Sequence, residues 1–377
     1  MTKVLITGAS GFIGAHTVLE FLNNGYEVRG SIRDLNRADS LKSMLAKHTE
    51  HIENLEFVAA TLTEADGWHE AVAGCDGVIH VASPVPIEQP KDPNEIIVPA
   101  RDGVLNVLRA AQAAGIKRVV QTSSVAAVSA NAKGDSAIQT AADWTDVKHP
   151  TANAYSQSKT LAEQAAWDFV KQHKEMELVT IQPAMVLGPA LEADYGSSLE
   201  AVYVLMTGKY PMLPHMGFGI VDVRDVAHLH RIGFEHPDAA GQRLLCSNGF
   251  RWFKAISACL ANEFPAFEKK LPSRELPDFV IKIMALFDPV MAFTAKSLGS
   301  QVDYDCSPAK ALGWQPRSPE EAIKAGGKSL TPLAPAPRSD SVFQLGPCRY
   351  SIRYFETHWP TALASRLSHS RHLLQAR

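Results

Sequence analysis

The chain has 377 residues, 46% of them hydrophobic and 20% charged, and its 37 Lys and Arg against 40 Asp and Glu leave a formal net charge of −3. This length supports a sizeable core in one large or two modest domains, and the near-neutral balance excludes the electrostatic footprint of a nucleic-acid or anionic-membrane binder. No uninterrupted apolar run reaches about 18 residues, so no segment is expected to span a bilayer.

The opening "MTKVLITGAS" enters a strand at once, without a charged-then-apolar signal layout, and the expected location is the cytoplasm. Further strands read at "EVRGSI", "EFVAAT", "GVIHVAS" and "RVVQTSS", then "ELVTIQPAMV". Amphipathic segments such as "IGAHTVLEFLNN" and "GVLNVLRAAQAAG" lie between them, the second stopping at Gly115. The strands lack in/out alternation, as expected of a parallel sheet covered by helices on both faces. The pattern predicts an α/β Rossmann-type fold, a doubly wound parallel sheet over residues 1–187. Beyond about residue 187 the rhythm breaks into loops rich in Gly, Pro and aromatics. Residues 188–330 are therefore expected to form a smaller substrate-binding part, returning to the sheet at "IVDVRDVAHLH" near 220–235. Near its end "CSPAKALGW" places Ser307 as N-cap, Pro308 at N1 and Gly313 as the stop. Residues 331–377, with six arginines and no lysine, read as an irregular tail of non-native character.

The chemistry starts at "TGASGFIG", Thr7 to Gly14, between the first strand and a helix. Gly8, Gly11 and Gly14 permit a tight turn, close backbone approach to a pyrophosphate and tight helix–strand packing, with the helix N-terminus facing the phosphates. A glycine pattern alone is weak evidence; directly after "KVLI" and before an amphipathic helix it is a specific one. The second strand ends in "RGSIRDLNR", where Arg33, with Arg37 a turn further on, can meet the 2′-phosphate of NADP. Asp34 beside Arg33 is the acidic alternative that would favour NAD.

"AYSQSK" holds Tyr155 and Lys159 at i, i+4, on one helical face. Alone, such a pair is usually a surface pair. Downstream of a dinucleotide fold and of "TSS" (Thr122 to Ser124) it becomes a proton-transfer set. A phenol of pKa about 10 needs help near neutrality, an ammonium nearby favours the phenolate, and a serine can hold the substrate oxygen.

With "TGASGFIG", "HVASP", "RVVQTSS", "AYSQSKTLAEQAAWDF", "QPAMVLGP" and "VDVRDVAHLH" in this order, residues 3 to about 329 resemble the extended short-chain dehydrogenase/reductases. The branch is that of dihydroflavonol reductases and yeast-type NADPH-dependent aldehyde (methylglyoxal) reductases. The resemblance implies that Tyr155 is the catalytic acid/base and that Lys159 binds the nicotinamide ribose and lowers the phenol pKa. It makes Ser124 the catalytic serine, with Ser123 as the second choice. Cofactor would be held by Gly8, Ser10, Gly11, Phe12, Ile13 and Gly14, by Arg33 and Arg37 at the 2′-phosphate, and by Val81, Ala82 and Ser83 beyond the fourth strand. Pro183, Ala184, Met185 and Val186 would touch the carboxamide, and Ser198 a phosphate. At the adenine, Thr61 before Leu62 stands where the family has aspartate, which should lower affinity. A second departure is in "AADWTD", which lacks the family's usual acidic residue two or three positions before Trp144.

The five cysteines (Cys75, Cys246, Cys259, Cys306 and Cys348) are scattered without metal spacing. His228, His230 and His236 near Asp222 and Asp225 are not expected to bind a metal, since His228 and His230 diverge on a helix; a structural ion pair is expected in "VDVRDV". Trp144, Trp167 and Trp252 are expected in the core or at an interface. The reading is thus an NADPH-dependent reductase of aldehydes or ketones, monomeric or homodimeric, with an apolar substrate met by the "GKYPMLPHMGFG" loop. The alternatives are a sugar-nucleotide epimerase or dehydratase with bound NAD, which would want an acidic residue beside the serine where "TSSVAAV" stands, and a dinucleotide-sensing regulatory protein, which would not need a Ser/Tyr/Lys set.

Overall fold

The computed structural model describes residues 1–84, 92–129, 137–192, 195–287 and 289–332. Its strands are β1 (Lys3–Thr7), β2 (Glu27–Ile32), β3 (Leu55–Ala59), β4 (Gly77–His80), β5 (Arg118–Thr122), β6 (Ala137–Gln139), β7 (Glu177–Pro183), β8 (Met185–Leu187), β9 (Gly217–Asp222), β10 (Arg243–Cys246), β11 (Phe250–Trp252) and β12 (Val302–Tyr304). The first six helices are α1 (Phe12–Leu22), α2 (Ala38–Leu45), α3 (Trp68–Val72), α4 (Asn94–Ala113), α5 (Ala126–Ser129) and α6 (Ala154–Gln172). They are followed by α7 (Gly196–Thr207), α8 (Val223–Glu235), α9 (Phe253–Glu263), α10 (Asp278–Met284), α11 (Pro289–Lys296), α12 (Ser307–Ala311) and α13 (Pro319–Leu330).

The main sheet is parallel, in the order β10-β7-β5-β4-β1-β2-β3. Its inner strands are buried on both faces. Leu5, Val78, Val119 and Leu178 point to the layer of α4 and α6, whereas Val4, Ile6, Ile79, Val120 and Val179 point to the layer of α1 and α8. Both faces being dry is why these runs read as continuously apolar rather than alternating. Strand order reverses between β1 and β4, and the crevice at their carboxyl ends is where this fold binds dinucleotides.

The smaller part is built on the sheet β11-β9-β8, packed by α7, α9 and α13 around Leu199, Val202, Met206, Ile220, Ile256, Leu260 and Ile323. Helix α13 opens on a capping box: Ser318 accepts from the Glu321 amide, and the Glu321 carboxylate accepts in return from the Ser318 amide.

The chain departs from the sequence reading in five places. "ELVTIQPAMV" is not one strand but two, broken at Ala184, with β8 leaving for the small sheet. In "IVDVRDVAHLH" only the helix packs on the main sheet's layer, against α1, β5 and β7; the strand β9 pairs with β8 and β11. The strand that does complete the main sheet is β10, parallel to β7, which the sequence did not announce. Ser307 is the first residue of α12 rather than its N-cap; its amide donates to Asp305 Oδ1 at 2.9 Å, and Cys306 takes the cap position. Helix α4 also begins well before "GVLNVL", with Pro99 inside it, and its end is closed at Gly115 (φ 73°) with Ile116 N donating to Ala111 O. Gly313 (φ 95°) follows the end of α12, as expected. The tail from residue 333 and Cys348 lie outside the described residues.

Candidate active site

The glycine turn after β1 is built to leave backbone exposed. Gly8 has φ 66°, and a Cβ there would come within 2.9 Å of the Ala82 backbone. Gly11 closes the turn through its amide to Gly8 O at 3.0 Å and serves as N-cap of α1, whose first turn holds no acidic residue. A Cβ on Gly14 would stand 2.0 Å from Gly8 O. The turn is also stitched to β2, with Ala9 N on Ser31 O at 3.1 Å and Gly8 N on Ser31 Oγ at 3.3 Å, and to β4, with Ala82 N on Thr7 Oγ1 at 3.0 Å. Ser10, Gly11, Phe12, Ile13, Val81, Ala82 and Ser83 therefore gather at the β1/β4 crevice. This cradle, which a Cβ would fill and which aims helix N–H groups outward, fits a pyrophosphate. Gly14→Ala is expected to cost about 1–3 kcal/mol of stability through overpacking and to abolish tight dinucleotide binding, both read by thermal melting with and without NADPH.

At the end of β2, Arg33 is exposed and Arg37 half-buried. Asp34 is exposed, and its Oδ1 takes the Asn36 amide at 2.9 Å and caps a short 3₁₀ turn. Past β3, Leu62 packs against Gly103 of α4, and the Thr61 carbonyl accepts from Trp68 Nε1 at 3.2 Å.

Tyr155 sits in the first turn of α6. That turn is fixed by Asn153, whose side chain accepts from Ser156 N at 2.8 Å, and by Gln157 Nε2, which donates to Val147 O at 3.0 Å. Lys159, one turn on and buried, places its Nζ 5.8 Å from the centre of the Tyr155 ring. The ammonium is close enough to His80 at the end of β4 to act on it: burial first, then the Lys159 charge, lowers the imidazole to about 3, so His80 is neutral. Its Nδ1 shares a 2.9 Å hydrogen bond with Thr7 Oγ1. Lys159 thus faces the same crevice as the glycine turn.

The two serines differ in their partners. Ser123 Oγ donates to Glu163 Oε2 at 2.5 Å. Ser124 Oγ accepts from Ala126 N at 3.1 Å, which leaves its own proton available for a substrate oxygen. Glu163, a further turn along the face of Tyr155 and Lys159, was missed by the sequence reading. It is fully buried and also receives Trp167 Nε1 (3.2 Å), Thr180 Oγ1 (3.1 Å), Gln182 Nε2 (2.8 Å) and Arg243 Nε (2.7 Å). Arg243 lies 3.6 Å over the ring of Trp144 and donates to the carbonyls of Ala141 and Asp143. The network fixes α6 to the ends of β5, β7 and β10.

Pro183 ends β7, and Ala184 leads to Met185 and Val186 in β8. Ser198 lies in the first turn of α7, whose Gly196 approaches Phe12 of the glycine turn. His230 Nε2 shares a 2.6 Å bond with Thr122 Oγ1, and burial holds it at about 4. Asp222 and Arg224 form an ion pair at 2.7 Å. Trp252 stacks near His215, ring centres 4.5 Å apart. No group of three or more His, Cys, Asp or Glu able to hold a metal occurs among the described residues.

Sheet order, helical layers and the glycine cradle at the reversal point define a Rossmann-type dinucleotide-binding protein. Residues 4–244 match the NAD dependent epimerase/dehydratase family, and the chain belongs to that family, among its extended short-chain dehydrogenases/reductases. It is 36% identical over 274 residues to cinnamoyl-CoA reductase 1 of Arabidopsis thaliana, covering 72% of this chain and 77% of the relative. To dihydroflavonol 4-reductase of Hordeum vulgare it is 33% identical over 274 residues, with 70% and 76% covered. Among solved structures, a yeast methylglyoxal/isovaleraldehyde reductase complexed with NADPH superposes with a TM-score of 0.73 at 25% identity, covering 87% of this chain and 98% of that one.

Proposed function

We propose that the chain is an NADPH-dependent carbonyl reductase that converts an aldehyde or ketone to the alcohol. The observation that carries this is the Tyr155–Lys159 pair on α6, with Ser124 following β5, in a sheet whose β1 turn forms the glycine cradle. Relatives named as cinnamoyl-CoA and dihydroflavonol reductases, and a neighbour solved with NADPH, support an oxidoreductase that uses NADP.

Bound in the crevice, NADPH would supply the hydride to the carbonyl carbon. Gly8 to Gly14 would cradle its pyrophosphate, and Arg33 and Arg37 its 2′-phosphate. Ser124 donates its hydroxyl proton to the substrate oxygen as a hydrogen bond and sets its direction. Tyr155 transfers its phenolic proton to that oxygen, completing the O–H of the alcohol. Lys159 stabilises the negative charge left on the phenolic oxygen and would hold the nicotinamide ribose. An apolar substrate is supported by the aromatic rings of the smaller part, where Phe218 packs edge-on against Phe253 and Phe250 against Trp252. No helix among the described residues is long and apolar enough to cross a membrane, in keeping with a small-molecule enzyme.

The test is NADPH oxidation against a panel of aldehydes, diketones, ketoesters and dihydroflavonols. Turnover of none of these with NADPH bound would overturn the reading. The cofactor half is tested separately: Arg33→Ala with Arg37→Ala should weaken NADPH binding at least tenfold and NADH binding little, since each arginine offers charge-assisted bonds to the 2′-phosphate alone.

A further inference from the structure

Arg37, assigned above to a 2′-phosphate, is already in contact with an anion. Its Nη2 donates to both oxygens of Glu192, at 3.1 and 3.3 Å. Arg33, four residues earlier, forms no ion pair among the described residues. Glu192 belongs to neither β2 nor the elements beside it; it arrives from the segment that follows β8, far along the chain.

That segment is anchored at its root. The Pro189 carbonyl shares a 2.9 Å hydrogen bond with His16 Nε2, and Ala190 N donates to Ser329 Oγ at 2.9 Å. Leu191 then packs against the main core. Leu191 and Glu192 line a small cavity with Ser10, Gly11, Phe12 and Ala15, so the segment passes over the phosphate-binding turn before Glu192 reaches Arg37. The anchors fix where Glu192 can go, and it goes to the cation that a cofactor phosphate would seek. The pair is partly open to solvent, with side-chain exposure of 41% for Arg37 and 29% for Glu192. An ion pair so exposed is weak and exchangeable. A phosphate monoester carries about −1.5 to −2 charges near neutrality, so it outcompetes a single carboxylate for the same guanidinium.

We propose that Glu192 is a specificity-determining residue for the cofactor: its carboxylate competes with the 2′-phosphate for Arg37. NADPH binds by exchanging one anion for the other, whereas NADH, which lacks that phosphate, leaves the Arg37–Glu192 pair in place. Glu192 therefore narrows the preference for NADPH that the two arginines create, and returns to Arg37 when the oxidised cofactor leaves. This rests on the reading that Arg33 and Arg37 hold the 2′-phosphate.

The experiment is titration of the full chain with NADPH and with NADH, following cofactor fluorescence, for the wild type, Glu192→Gln, Arg37→Ala, the combination of these two, and the Arg33→Ala/Arg37→Ala pair. Glu192→Gln keeps the size and removes the charge at a partly exposed site, where folding is insensitive to it. The expected result is NADPH binding tightened by about twofold to fivefold, the range an exposed ion pair allows, with NADH unchanged. In the Arg37→Ala background the same substitution should shift NADPH affinity much less. If Glu192→Gln moves both cofactors equally or neither, while the arginine pair still loses NADPH selectively, the competition is refuted and the arginine site stands. If the arginine pair loses no selectivity, the 2′-phosphate reading falls and this inference falls with it.

Discussion

Tyr155→Phe is expected to lower carbonyl reduction by about two to four orders of magnitude, the usual loss when a general acid is removed, while melting temperature and NADPH affinity stay where they are. The ring keeps its place in the first turn of α6, because that turn is set by Asn153 and Gln157 and not by the phenol. Among the described residues the Tyr155 hydroxyl has no hydrogen-bond partner, so its removal leaves nothing buried and unsatisfied. Lys159→Met should behave differently. That side chain is buried against the crevice, and its loss should depress both turnover and NADPH binding. Stopped-flow reduction and cofactor titration on the two variants separate the roles. Near-full reduction by Tyr155→Phe with cofactor bound would mean that the proton comes from elsewhere.

The second large effect is on folding. Glu163→Ala should destabilise the chain by roughly 3–5 kcal/mol, the cost of breaking a buried ion pair from one side. It would leave the Arg243 guanidinium, at 9% side-chain exposure, without its carboxylate. It would also strip four further donors of their acceptor, among them Ser123, next to Ser124. Replacing both members together, as Glu163→Leu with Arg243→Met, should recover much of the loss, because apolar pairs of similar volume commonly equal buried ion pairs. Urea unfolding midpoints measure both. If the single and double variants are equally unstable, packing matters at this site and charge does not.

Much of the nucleotide half was legible because its signals are local. The strand–glycine–helix passage at residues 3–22 shows itself within a dozen residues, and so does the Tyr155/Lys159 spacing. What sequence could not show are pairings set by the folded chain. Strand β10 is a four-residue run, "RLLC", with no alternation and no turn chemistry to mark it; it is a strand because β7 offers an open edge. Asp34 looked like a ribose acceptor by position, and only the backbone at Asn36 reveals it as a cap. Glu163 had a faint signal, since it continues the i, i+4 face of Tyr155 and Lys159; its partner Arg243 had none. The Ser123/Ser124 ambiguity could not be resolved by spacing, because adjacent residues at a strand end point to opposite sides, and the side that Glu163 occupies is a tertiary fact.

The position of β10 bears on how the chain is made. It is translated only after β8, α7, β9 and α8, so when residue 183 leaves the ribosome β7 is still an outer strand with free backbone groups along one side. Until Arg243 arrives, Glu163 has no counter-charge to be buried against. The nascent N-terminal half can therefore collapse but cannot finish its sheet, and an unpaired edge is a template for sticking to other chains. The nucleotide-binding half is in this sense not a unit of biosynthesis: its completion waits for most of the polypeptide, and expression of the enzyme should depend on chaperones that shield one strand edge during that interval.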